Sequence, residues 1–164
     1  MSQLLAGRNR NSGLKGVLLI APAPPTPLEL PQDMKEQQLS AYSSPQSAKF
    51  VVRNVLTSSD IPDEEVSILV EDMLKGNEFA TKAWPAYAMA ENILAEASKI
   101  NVPVLIICGE LDKVELVERS KVDVLRNIPG AEMVVIEGSG HLLPVEKPEQ
   151  LAHYVEGFVG KVSG

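Results

Sequence analysis

The chain has 164 residues, with 15 Lys and Arg against 22 Asp and Glu, a formal charge of −7. That length fits one domain able to bury a core, and 45% apolar with 23% charged residues excludes wholesale disorder. The acidic balance argues against nucleic acid or an anionic membrane as a partner, and the single Cys108 excludes an internal disulfide or a cysteine zinc site.

At the start, Arg8, Arg10 and Lys15 precede the apolar run Val17–Ala21, and Ala21-Pro22-Ala23 has the look of a small-residue cleavage site. The run is shorter than a secretory core and lies well inside the chain, so the expected location is cytoplasmic. Three short apolar runs, Val17–Ala21, Val102–Cys108 and Met133–Ile136, read as strands buried on both faces, as in parallel sheets covered by helices. The proline-rich stretch Ala21–Pro27 leads out of the first strand.

Ser44-Pro45 marks a helix start, followed by a stripe of Ala48, Val51, Val52, Val55 and Leu56. Pro62 opens a second helix with Asp63, Glu64 and Glu65 in its first turn, an apolar stripe of Val66, Leu69, Val70, Met73 and Leu74, and Gly76 as its cap. The seven acids between Asp60 and Glu78 read as a solvated face. Trp84-Pro85 reads as a break, with further helix towards Lys99. Val114–Arg126 reads as a helix ended by Pro129-Gly130, and Pro148 starts a last helix with Leu151, Val155, Phe158 and Val159 on one face. The order is α/β, with a helical insertion after the first strand.

Ligands of open α/β sheets bind beyond the carboxyl ends of the strands. Gly109-Glu110-Leu111-Asp112 follows the second run, and Glu137-Gly138-Ser139-Gly140-His141 follows the third. An acid that orients a histidine, and a histidine that moves protons, are two members of a hydrolytic triad, and this chain order matches that of α/β-hydrolases. Glu110 is a rival acid, two residues before Asp112. Ser139 is the serine nearest His141 in sequence, but it sits on a tight loop where a nucleophile would not meet the imidazole. Gly138-Ser139-Gly140 is a poor dinucleotide loop, since the third glycine position falls on Leu143 and the next expected helix starts only at Pro148. His153 reads as a surface residue and Cys108 as a buried, inert one. Trp84, Tyr87 and Met89 suit either a substrate pocket or the core of a helical layer, the latter being the commoner use of such residues.

Asn101–Val159 resembles the C-terminal end of the α/β-hydrolase family, with a strand ending in G-x-x-D, a helix, a strand ending in G-x-G-H and a closing helix. Gly16–Pro25 and the helices through Lys99 resemble the preceding strand and its cap, and Met1–Gly7 the tail of the helix that follows the family's nucleophile. The resemblance implies one partial domain: helix tail and first strand (1–30), helical cap (31–100), and the acid and histidine strands with the closing helix (101–164). It puts the triad acid on Asp112 and the general base on His141, and implies an ester-like or related small organic substrate with no metal or organic cofactor. Leu142, beside His141, joins Trp84, Tyr87 and Met89 as a substrate-binding candidate. The chain contains no G-x-S-x-G, and that elbow's place would lie just upstream of Met1. The expected chain is therefore inactive alone and self-associates through its first strand; a non-catalytic binding or assembly half is the other expectation.

Overall fold

The computed structural model describes residues 1–8 and 13–164, so Arg10 of the basic flank lies outside the described residues. Three strands, β1 (Val17–Ile20), β2 (Val104–Gly109) and β3 (Ala131–Ile136), form one parallel sheet in the order β1-β2-β3. Val17 lies opposite Val104, and Val104 opposite Ala131. The strands therefore start level, and the loops carrying Asp112 and His141 leave the same edge.

Only β2, paired on both sides, is buried at every residue. The outer strands were expected to be buried on both faces, but β1 alternates towards an exposed Ile20 and β3 is mostly half-buried. Among the described residues, each has a strand neighbour on one side only. The second strand starts at Val104 rather than Val102, after Pro103, which has no N–H to give the ladder. The third reaches back to Ala131, after Gly130 at φ +72°.

Alternation along β2 separates two cores. Val104, Ile106 and Cys108 pack with Val17, Leu19, Ile100, Val124 and Ile128 on one side of the sheet. Leu105 and Ile107 pack with Ile136, Leu143, Leu151 and Phe158 on the other. The first side is covered by α1 (Ser2–Gly7) and by the segment after α7 (Val117–Arg119), the second by α8 (Leu143–Glu146) and α9 (Pro148–Ser163). Val159, expected on the buried face of α9, is exposed.

The insertion after β1 holds α2 (Gln32–Ser40), α3 (Pro45–Val51), α4 (Asp63–Leu74), α5 (Glu78–Ala86) and α6 (Leu94–Ala97). Ser44 caps α3 by accepting the Ser47 N–H at 3.1 Å. Beyond Val51 the helix widens into a π-helical stretch, Val52–Leu56. Val52, Ile61 and Val66 form a small core of their own, against which Leu69, Val70, Met73 and Val145 pack. Leu74 is exposed, and Gly76 is not left-handed; Lys75 caps α4 in a right-handed conformation. Pro85 lies inside α5, which ends one residue later, so the break follows the proline. The seven acids from Asp60 to Glu78 are all exposed.

Val114–Arg126 is not one helix. Residues 113–115 form a bend, and α7 is followed by a π-helical stretch (Ser120–Val124) and a 3₁₀ turn (Leu125–Asn127). Nor does the chain wait until Pro148 to turn helical after β3: the single turn α8 opens at Leu143. Among the described residues, no helix is long and apolar enough to cross a membrane.

Candidate active site

The two motif loops are joined along their length. Glu110 N–H donates to the Ile136 carbonyl (3.0 Å), and Leu111 N–H to that of Ser139 (2.9 Å). Two of the three motif glycines serve close approach. A Cβ on Gly109 would collide with the backbone of Gly140 and Ser139. A Cβ on Gly140 would lie 3.0 Å from a Glu146 carboxylate oxygen, the Leu56 carbonyl and the Ser58 nitrogen. Gly138 turns the loop at φ +61°, in the left-handed region that glycine enters freely.

This path brings His141 Nδ1 to 2.9 Å from Asp112 Oδ2. The other oxygen, Oδ1, accepts the N–H groups of Val114 (2.7 Å) and Glu115 (3.0 Å). That local acceptor explains the bend at 113–115: it satisfies two amides and starts the helix later than periodicity alone expects. The Asp112 side chain is fully buried, whereas that of His141 is 25% exposed. Burial pushes the Asp112 carboxyl up. Hydrogen bonds from His141 and from the Glu115 and Val114 amides, with the imidazole charge, outweigh it and hold the group below the usual value. With Asp112 ionised, the 2.9 Å contact makes Nδ1 the donor and directs Nε2 away from the acid, the orientation a general base needs.

A second buried acid stands beside the first. Glu115 accepts Arg119 Nη2 at 2.6 Å, and the same nitrogen reaches the Val114 carbonyl at 2.5 Å. Here burial dominates over Arg119 and raises the Glu115 carboxyl.

The remaining candidates separate. Glu110 is exposed and accepts the Gly138 N–H at 2.9 Å, so it braces the histidine loop instead of meeting the imidazole. Ser139 is fully buried, and its hydroxyl donates to the Ile136 carbonyl at 2.8 Å. Cys108 is buried in the sheet, which raises its thiol. His153 is exposed, edge-on to the Tyr154 ring. Trp84, Tyr87 and Met89 do not act together: Met89 is buried, while Trp84 and Tyr87 are 43% and 53% exposed and so are not core. Leu142 is half-buried, with its N–H on the Leu56 carbonyl at 3.1 Å. A groove of about 1520 Å³ runs along α1 and β1 past Leu5, Leu14, Val17, Leu18 and Lys99. A cavity of about 410 Å³ lies between β3 and α9, and neither is lined by Asp112 or His141. Among the described residues, no three His, Cys, Asp or Glu side chains gather as a metal site.

Sequence reasoning missed Glu146. Its Oε1 accepts the Gly140 N–H (2.8 Å), and its Oε2 accepts the Ser58 N–H (2.7 Å), the Ser59 N–H (2.8 Å) and the Ser59 hydroxyl (2.9 Å). The Leu56 carbonyl accepts the His141 N–H at 2.9 Å, and Lys113 Nζ and Ser58 Oγ tie the same segment to the acid loop. An acid just downstream of a glycine loop with free amides was the one available signal.

An esterase from Exiguobacterium antarcticum superposes with a TM-score of 0.81 at 18% identity, over 96% of this chain and 62% of that one. The match extends to an enol-lactonase from Burkholderia xenovorans (0.78, 16% identity, 97% and 61%). This is the α/β-hydrolase fold. A bromoperoxidase from Bacillus anthracis matches too (0.78, 15% identity, 88% and 58%). The chain thus spans about three fifths of the length of these α/β-hydrolase structures, as the C-terminal portion of the fold would. No family model matches the sequence, and no curated protein matches it.

Proposed function

We propose that this chain is the acid- and histidine-bearing part of a cytoplasmic α/β-hydrolase that cleaves an ester-like or related small organic substrate. The Asp112–His141 hydrogen bond of 2.9 Å, beyond the carboxyl ends of adjacent parallel strands, carries this reading. Asp112 holds the imidazole in one tautomer and stabilises its cation. Nε2 of His141 takes the proton of a nucleophile and returns it to the leaving group. The nucleophile and the oxyanion donors come from polypeptide that pairs with the outer edge of β1, and the insertion at 31–100 serves as the cap. Trp84 and Tyr87 meet substrate from the cap, Leu142 borders the imidazole, and Met89 holds the cap backbone beneath them.

The test is reconstitution. The 164-residue chain alone should hydrolyse p-nitrophenyl acetate no faster than background, because losing even one oxyanion donor costs about 10²–10³ in rate. Supplied with a matching N-terminal half, it should gain activity. Asp112→Ala or His141→Ala should then lower kcat by several orders of magnitude, and His153→Ala should leave it nearly unchanged. Full activity in His141→Ala would refute the assignment.

The open edge of β1 also favours a second reading, a non-catalytic half that binds a partner through that edge. Codons upstream of Met1 discriminate: an in-frame G-x-S-x-G supports the hydrolase, and an immediate stop supports the binding half.

A further inference from the structure

The loop from Gly138 to Leu142 has no strand or helix of its own to hold it. Its amides end on three acceptors from elsewhere: Glu110 for Gly138, Glu146 for Gly140, and the Leu56 carbonyl for His141 and Leu142. Leu56 closes the π-helical stretch, Thr57 after it is held on the Val52 carbonyl, and Ser58 and Ser59 beyond are both held by the other oxygen of Glu146. One carboxylate therefore grips the histidine loop on one side and the backbone that supports His141 on the other. Four donors converge on this one carboxylate. The position is also tight, because a Cβ on Gly140 would press on Glu146, Leu56 and Ser58 together at 3.0 Å.

We propose that Glu146 is a positioning residue, whose carboxylate fixes the His141 imidazole in the tautomer that donates from Nδ1 to Asp112. The inference rests on the reading of Asp112 and His141 as a proton-handling pair. A loop displacement of about 1 Å would carry the 2.9 Å bond out of hydrogen-bonding range and release the ring to sample both tautomers. In Glu146→Gln, one acceptor oxygen becomes an NH₂ group that must face N–H donors on one side of the clasp, at nearly constant volume.

The test is NMR of the full 164-residue chain labelled with ¹⁵N-histidine. The chain has two histidines, and His153→Gln assigns the signals. The wild type should show a protected downfield Nδ1 proton with Nε2 unprotonated. In Glu146→Gln that proton should exchange about tenfold faster or more, and the ring nitrogens should move towards tautomer averaging. Ser59→Ala removes one of the four donors. It should shift both readouts in the same direction by less, and it decides the matter if Glu146→Gln fails to fold. Folded variants that lose thermal stability but keep the wild-type exchange rate and tautomer would overturn the proposal alone. A wild type without the Nδ1 proton would overturn both this inference and the reading of the pair.

Discussion

Asp112 and Glu115 are two buried carboxyls three residues apart that are displaced in opposite directions. Burial acts first on both. Asp112 has an imidazole and two amides to outweigh it, whereas for Glu115 burial wins over Arg119 and the more distant His141, and the Asp112 charge adds to it. Since Asp112 sits below its unfolded value, its ionised form stabilises the folded chain above about pH 4, and that contribution is lost as pH falls through the folded value. Glu115, displaced upward, contributes stability that is complete below about pH 4.3 and is lost as pH rises through its folded value. Urea titrations across the acid range should show this contrast. Asp112→Asn should flatten the loss of stability towards low pH, whereas Glu115→Gln should remove a component that declines with rising pH. A parallel shift of the curve at every pH in both variants would contradict the sign of these displacements.

At the scale of elements, the strands were legible because each is a short Val/Ile/Leu run bounded by Gly or Pro, and apolar runs of that length have few other uses. The central one should also be the least forgiving. Ile107, fully buried on β2, should cost about 2–5 kcal/mol as Ile107→Ala in urea unfolding, whereas Val159→Ala on the exposed side of α9 should cost well under 1 kcal/mol. Helix limits were less legible wherever a side chain competes for backbone amides, as Asp112 does at Val114 and Glu115. The candidate site divides the same way. Asp112 and His141 could be read because each ends a compact motif whose glycines permit one loop to lie against the other. Glu146 could not, because its partners Ser58 and Ser59 are 88 and 87 residues away, and nothing local to either segment encodes the meeting.

For the whole molecule, the sheet leaves β1 unpaired on its outer side among the described residues. Val17 and Ala21 donate towards β2, so the backbone groups of Leu18 and Ile20 face outward beside the apolar groove. Such an edge is a template for another strand. Light scattering of the 164-residue chain at tens of micromolar should show dimers or larger species. Salt should promote them by screening the charge of −7 beyond about 10 Å at 0.1 M. Ile20→Lys, at an exposed position, should suppress them; a salt-independent monomer in the wild type would show that the edge is covered. Glu146 and Leu56 have a different consequence for how substrate reaches the imidazole. They, and the packing of Val145 against Val52, Ile61 and Val66, weld α3 and α4 to the loop bearing the imidazole. Half of the insertion is thereby part of the chassis and cannot act as a door. α2 and α5 pack on each other, outside this weld, and Trp84 and Tyr87 travel with them. On the proposed hydrolase reading, movement of the insertion is therefore left to α2 and α5, outside the weld.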